Sequence, residues 1–211
     1  MEILPLLSFT ISAAALAVSA LTAWFTVLRR GRLQATWPSM VYLGPDGRSG
    51  GPPKVVLRFL LFTGGARGQA IEHMHVRLSL RDRAQSFSVW VHDDGNGLVR
   101  GSGLHVPPTG LPAYHHFLLS KSETDFQFAA GQAIVEVYAK PVGSAAVRLL
   151  RVGPLSISPD HAEAMRSGRA GLFFDWSSDA NDFDSHLDSG EPLRTRAELL
   201  RAIGVSVPDR P

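Results

Sequence analysis

The sequence predicts a mainly β protein with one transmembrane helix at its N-terminus. Residues 3–28 contain no charged side chain, and beyond residue 40 the chain breaks into short apolar runs separated by turn residues. The absence of helical patterns between these runs favours an antiparallel sandwich. We therefore divide the chain into a transmembrane helix (residues 1–28), a basic connector (29–39), a β-sandwich domain (40–158) and a helical, acidic C-terminal extension (159–211).

The apolar N-terminal segment is long enough to cross a membrane. As a helix, residues 3–28 would extend ~39 Å, against a hydrocarbon core of ~30 Å. A cleaved signal peptide is the alternative, because residues 17–20 (Ala-Val-Ser-Ala) offer a small-residue cleavage pattern that would leave Leu21 at the mature N-terminus. No basic side chain precedes the segment, and it stays apolar well past residue 20, so we favour the membrane anchor.

Three arginines directly after the apolar segment predict its orientation. Arg29, Arg30 and Arg32 follow the span, and no basic side chain precedes it. The positive-inside rule then predicts an external N-terminus and a cytoplasmic C-terminal domain. Arginine (18 residues) outnumbers lysine (3 residues), and Ala and Gly are abundant, which is typical of a GC-rich bacterial genome. We therefore expect a single-pass protein of the bacterial inner membrane, in contact with the lipid bilayer.

Small and hydroxyl residues recur along one face of the predicted helix. They are spaced by three and four residues, at Ser8, Ser12, Ala15, Ser19, Thr22 and Thr26. Small residues allow two helices to approach closely, and hydroxyl groups can form hydrogen bonds between them. This helix-packing seam predicts contact with a second copy of the helix or with a helix of a protein partner. The alternative is that these residues, which are common in membrane helices, contact no other helix.

The sandwich domain is predicted to contain eight or so short strands. They comprise residues 40–43, 54–62, 71–80, 86–91, 98–106 and 113–119, two strands around Gly131 within 126–139, and 147–157. Strict alternation in 71–80 predicts one buried and one exposed face. In 86–91 the same alternation of a buried and an exposed face sets Phe87, Val89 and Val91 opposite Ser88 and Trp90.

The pattern of residues 126–139 resembles part of a known domain family. Phe126 and Phe128, the turn at Gly131, and the alternating strand with Ile134 and Val137 resemble the late strands of immunoglobulin-like domains. The chain has no cysteine, so the Cys–Trp–Cys core of true immunoglobulin domains is absent. The resemblance therefore implies the fold class alone: an immunoglobulin-like sandwich, whose loops and edges would serve recognition.

The C-terminal extension combines helix signals with acidic residues. Ser158 is a suitable N-cap and Pro159 a suitable first residue for a short helix over 161–166, and a second helix is predicted over 193–203. Six acidic residues lie between them with no intervening basic residue: Asp175, Asp179, Asp182, Asp184, Asp188 and Glu191. We interpret them as a solvated acidic tail, or as a tail that docks on the domain's own arginines. A calcium loop is the alternative, although its characteristic glycine and glutamate are missing.

Composition and motifs argue against several classes of activity. The lack of cysteine excludes thiol catalysis, disulfides and cysteine-ligated metals. A net charge of +2, with basic residues dispersed along the chain, argues against nucleic-acid binding. The chain contains no Gly-x-Ser-x-Gly elbow, and the glycine-rich residues 64–68 lack the Lys-Ser/Thr of a phosphate-binding loop. We therefore expect a protein that is not an enzyme and carries no cofactor.

The histidines supply the candidate metal ligands. His73 and His75 are two residues apart on a predicted strand, so both side chains point to one face, and His92 follows in a later strand. The simpler interpretation is a pair of solvent-facing histidines, because no third ligand lies at a supporting spacing.

Two functions remain open at this point. The first is a non-enzymatic, membrane-anchored accessory or scaffolding protein whose cytoplasmic sandwich binds a protein partner. The second is a membrane-tethered protein that binds a metal or small ligand, or an enzyme whose residues converge only in three dimensions.

Overall fold

The computed structural model describes residues 3–28, 31–46, 51–81, 83–93, 97–101, 103–120, 126–168 and 170–188. Helix α1 (Ile3–Ala23) continues into a π-helical segment (Trp24–Leu28), and a short helix α2 (Pro159–Arg166) lies near the end of the described chain. The strands are β1 (Leu33–Ala35), β2 (Met40–Pro45), β3 (Pro53–Thr63), β4 (Gln69–Leu80), β5 (Arg83–Phe87), β6 (Val89–Asp93), β7 (Leu98–Arg100), β8 (Leu104–Val106), β9 (Leu111–Leu118), β10 (Gly131–Pro141), β11 (Val147–Ile157), β12 (Gly171–Ser177) and β13 (Asp182–Asp188).

The N-terminal helix is apolar and uncovered along its length. Residues 5–27 are all exposed, and this stretch is long and apolar enough to cross a membrane. A signal sequence near an N-terminus has the same length and composition. The structure therefore confirms the helix and its apolar character.

The β strands form two antiparallel sheets. The eight-stranded sheet has the order β13-β12-β2-β3-β9-β6-β7, with β1 also paired to β3, and the five-stranded sheet has the order β11-β10-β4-β5, with β8 paired to β4. The first two predicted strands, β2 and β3, form an antiparallel pair in which Met40 lies opposite Arg58. Within the predicted connector, β1 pairs with the end of β3. A mainly β, antiparallel fold is thus confirmed.

Two of the predicted strands, 86–91 and 98–106, are each in fact two strands in different sheets. The predicted strand 98–106 is divided into β7, which pairs with β6 in the larger sheet, and β8, which pairs with β4 in the smaller one. Phe87 ends β5, which pairs with β4, whereas β6 begins at Val89 and pairs with β9. Because Ser88 is inserted between them, the alternation shifts by one residue, and Trp90 is only 1% exposed. The prediction that Trp90 lies opposite the buried face is therefore wrong, and Val91 is half-buried.

The segment before β10 also differs from its prediction. Residues 126–130 are not in a strand, so only one of the two strands predicted around Gly131 is present. Phe126 and Phe128 instead pack against Phe87, with ring centroids 5.5 and 6.5 Å away. Their alternation reflects core packing of an extended loop, because aromatic burial needs no strand pairing.

The acidic segment is part of the larger sheet as far as Asp188, and Glu191 lies outside the described residues. β12 and β13 form a hairpin, and β12 pairs with β2, so this segment is not a free acidic tail. Burial of Leu172 and Phe174 beside β2 explains the pairing. Ser158 Oγ accepts a hydrogen bond from the His161 backbone N–H (3.0 Å) at the start of α2. The helix predicted over 193–203 lies outside the described residues.

Buried residues of the two sheets form one apolar cluster. Val41, Leu57 and Phe117 contribute from the larger sheet, and Met74 and Val135 from the smaller one. The β strands therefore share a core to which residues 5–23 of α1 contribute no side chain.

Candidate functional site

His73 and His75 lie close together, whereas the ring of Trp90 lies between them and His92, the third candidate metal ligand. The rings of His73 and His75 are 6.4 Å apart, and His75 stacks on Tyr138 at 5.0 Å. His92 instead stacks on Trp90 at 5.0 Å, and the Trp90 ring is 6.5 Å from His73. Burial, and secondarily the charge of His73, lowers the pKa of His75. Among the described residues, no group of three His, Asp or Glu side chains is arranged to hold a metal.

A buried histidine was missed by the sequence reasoning. The Trp90 indole N–H donates a hydrogen bond to Nδ1 of His115 (3.2 Å), and the His115 ring stacks on Phe59 at 4.6 Å. Burial, with smaller contributions from His92 and His116, lowers the pKa of His115 to about 3. His115 is therefore neutral at physiological pH, with its proton on Nε2, and it acts as a core residue. The sequence feature that could have identified His115 as buried is its alternation in β9 with the apolar residues Ala113 and Phe117.

Three aromatic side chains meet at an open groove on the side of the β domain. The ring of Trp37 lies 5.5 Å from Trp176 and 6.1 Å from Phe183, and the latter two are 5.1 Å apart. The groove, here called the lateral aromatic groove, has a volume of about 750 Å³. It is lined by Trp37, Gln132, Gly153, Pro154, Leu155, Ser156, Phe174, Trp176, Asn181, Asp182 and Phe183. Trp37 is 44% exposed, so its ring is available for binding.

Local backbone contacts explain why the aromatic residues converge. Trp37 lies in the irregular connection between β1 and β2 and is followed by the buried Pro38. The backbone N–H of Trp176 donates to the Ser39 carbonyl (3.1 Å), which fixes the β12–β13 hairpin beside this connection. Asn181 adopts a positive φ of 54° in the hairpin turn and brings β13 back under Trp37. The groove therefore depends on residues far apart in the sequence.

The opposite wall of the groove is an edge strand. β11 lies at the edge of the five-stranded sheet and contributes Gly153, Pro154 and Ser156. The pairing of β11 with β10 shifts register at this point. Since Pro154 has no N–H, this part of the edge is poorly suited to pairing with another strand. Gln132 and Asp182 add polar groups, so the groove combines an aromatic surface with a polar rim.

The connection from helix to domain is fixed by close backbone packing. Arg67 Nε donates a hydrogen bond to the Val27 carbonyl (2.8 Å) near the end of the helix. A Cβ at Gly31 would lie 2.3 Å from the Gly65 backbone nitrogen, so only glycine fits there. Glycine at position 31 therefore allows the chain to pass close to the backbone of Gly64 and Gly65. Arg32 is exposed, and the other two orientation residues, Arg29 and Arg30, lie outside the described residues.

The seam residues share one face of the helix. At 3.6 residues per turn, the five seam positions in α1 fall within an arc of about 80°. All six are exposed: Ser8, Ser12, Ala15, Ser19, Thr22 and Thr26. Two of their hydroxyl groups bond within the helix, Thr22 to the Val18 carbonyl (2.8 Å) and Thr26 to the Thr22 carbonyl (2.6 Å). These hydroxyl groups are thus satisfied without a second helix.

Comparisons with known proteins were made at three levels. No family model, no curated protein and no solved structure matches this chain. Function is therefore argued from the chain's own geometry.

Proposed function

We propose that this chain is a membrane-anchored, non-enzymatic accessory protein that binds a protein partner through its β domain. The observation that carries the proposal is the cluster of Trp37, Trp176 and Phe183 at the open lateral aromatic groove. Large aromatic side chains dominate the binding energy of protein interfaces, because they bury much apolar area with few rotatable bonds. The exposed apolar helix supports the anchoring part of the proposal.

The chemistry of the groove indicates the kind of segment that it binds. An aromatic surface beside Pro154 favours an extended segment with apolar side chains. The Asp182 carboxylate at the rim favours a basic residue next to that apolar anchor. Because Pro154 interrupts the donors of β11, recognition rests on side chains in the groove and not on an added strand.

We further propose an immunoglobulin-like arrangement of the two sheets, with the cytoplasm as the location of the domain. The fold proposal is supported by two antiparallel sheets that share one core and by the chain's passage between them after Phe87. The location is supported by the basic residues that follow the helix. In a bacterial host, a reporter that works only in the cytoplasm should be active when it is fused after Pro211, and a reporter that works only in the periplasm should be inactive there. Periplasmic activity would reverse the orientation.

The groove is tested with the full chain in its native membrane. A photo-crosslinking amino acid at Gln132, an exposed position in the groove lining, should give one defined partner adduct. Trp37→Ala should weaken binding to that partner at least ~30-fold, because central aromatic residues contribute ~2 kcal/mol or more.

The matched control is Tyr114→Ala, since Tyr114 is similarly exposed (42%) but lies on another surface, beside Arg58. Equal binding by the wild type and the Trp37 variant would show that the partner does not bind in the groove. Stoichiometric zinc, copper or calcium in the purified protein would favour the metal-binding alternative.

A further inference from the structure

We propose that the chain binds the phosphate group of an anionic phospholipid in a basic groove where the helix meets the β domain. This juxtamembrane groove has a volume of about 890 Å³. Its lining includes Arg32, Arg67 and Arg148, together with Gly31, Val142 and Val147. The inference does not depend on the lateral aromatic groove, and either site can fail without the other.

The groove lies at the end of the membrane-spanning helix. Arg67 lines the groove and also donates a hydrogen bond to the carbonyl of Val27, the last residue of the apolar span. Gly31 and Arg32 line it only a few residues after the helix ends. The turn after β10 is held beside them, because the Val142 backbone N–H donates to the Ala70 carbonyl (2.9 Å). With the helix in a bilayer, the groove therefore faces the headgroup layer.

The charge of the groove is positive. It contains three arginines, and none of the described residues that line it is acidic. Arg148 already has a carboxylate partner, since its Nη1 lies 2.9 Å from Glu136 Oε1. The ion pairs of the described residues leave Arg32 and Arg67 without a carboxylate. Guanidinium groups bind phosphate oxygens through two parallel N–H bonds, so these two arginines form the phosphate-binding pair.

Apolar side chains at the groove distinguish a lipid from a free phosphate. Val142 is 60% exposed and Val147 is 41% exposed. Val142 directly follows β10 and Val147 begins β11, and both line the groove together with its arginines. A small soluble anion would gain nothing from this apolar rim, whereas the glycerol and upper acyl region of a phospholipid would cover it. The combination of cationic groove and apolar rim favours the lipid.

The experiment uses the full chain reconstituted in phosphatidylcholine vesicles. Trace spin-labelled phosphatidylglycerol or spin-labelled phosphatidylcholine reports the fraction of lipid immobilised by the protein. The wild type should immobilise phosphatidylglycerol preferentially. Arg32→Gln/Arg67→Gln should lower that preference about fivefold or more, since each basic residue near an anionic surface contributes about fivefold.

The control carries the same loss of charge at a different place. Arg77→Gln/Arg83→Gln removes two exposed arginines from β4 and β5, seven or more residues along the sheet from the Ala70 side of the groove. Its lipid preference should match that of the wild type. Arg32→Gln alone, at an exposed connector position, provides a second variant whose folding is checked by circular dichroism.

The outcomes separate the site from general electrostatics. A loss in the groove variants alone supports the proposal. An equal loss of the phosphatidylglycerol preference in both double variants overturns the proposal, because the preference would then depend on net charge alone. No loss in either double variant also overturns it, because the preference would then come from the arginines directly after the helix. Release of the lipid by inorganic phosphate at constant ionic strength would also overturn it, since the groove would then be a site for a soluble anion.

Discussion

Large apolar side chains are exposed in the helix and buried in the β domain. In α1, Phe9 and Leu16 are more than 70% exposed, and no helix side chain whose burial is described joins the core. In the β domain, Phe87, Trp90 and Phe117 are fully buried between the sheets. The helix satisfies its backbone groups internally and needs apolar surroundings, whereas the domain creates such surroundings for itself. The two regions should therefore respond to different perturbations.

The largest expected effect is on the core of the domain. Trp90→Ala should lower the free energy of unfolding by ~3–5 kcal/mol, because it leaves a cavity and removes the donor to His115. Leu16→Ala in the helix is the matched apolar truncation and should leave the unfolding of the domain unchanged. Urea titration monitored by circular dichroism measures both. Similar losses in the two variants would show that helix and domain unfold as one unit.

Acid should destabilise the domain and spare the helix. The pKa of His115 is lowered to about 3 by burial, against ~6.5 in the unfolded chain, so the unfolded state binds more protons between these values. The free energy of unfolding is therefore at its full value above pH ~6.5, and it falls as the pH drops, by ~2 kcal/mol at pH 5. The midpoint of thermal unfolding at pH 7 and pH 5 measures this loss.

The control for acid sensitivity keeps the hydrogen bond and removes the titration. His115→Gln retains an acceptor for the Trp90 indole and should show a much flatter pH dependence. A shallower slope should persist, because burial also lowers the pKa of His75 and of His116. An unchanged slope in the variant would assign the acid sensitivity to other groups.

The same contrast explains which parts of the fold the sequence could predict. The helix follows from local composition, since every residue between 3 and 28 is uncharged. The alternating strand β4 was predictable because its pattern is local too. The crossing at Ser88 was not, because a shift of one residue between two sheets leaves no mark in a periodic pattern. The β12–β13 hairpin was hidden because its acidic residues favoured an exposed tail.

The candidate sites depended even more on contacts distant in sequence. Trp37 lies in the connection between β1 and β2 and Trp176 in the β12–β13 hairpin, and the hydrogen bond from the Trp176 N–H to the Ser39 carbonyl holds these two distant segments together. The His73 and His75 pair was predictable from spacing, but its packing on Tyr138 depends on the register of β4 against β10. Sequence reasoning found the residues that are close in the chain and missed those assembled by topology.

A smaller effect is expected where the two regions join. Arg67→Gln removes the hydrogen bond to Val27 and should lower the stability of the full chain by ~1 kcal/mol. A fragment spanning residues 31–211 lacks Val27, so the same substitution should have no such effect there. Thermal unfolding of the four proteins gives this comparison. Equal effects in the chain and the fragment would mean that Arg67 stabilises the domain directly.

The smallest effect is expected within the helix, where association depends on the seam. Ser12→Leu/Ser19→Leu keeps the segment apolar, so insertion should be unchanged, but the large side chains would separate two helices that pack through this face. Helix–helix hydrogen bonds in bilayers average ~0.6 kcal/mol each, so a reduction of a few-fold in association is expected in a membrane two-hybrid assay. Leu16→Ile, away from the seam, is the control. Equal association in all three proteins would leave α1 as an anchor whose hydroxyl groups bond only to their own helix, as Thr22 and Thr26 do. Partner binding would then rest entirely on the β domain.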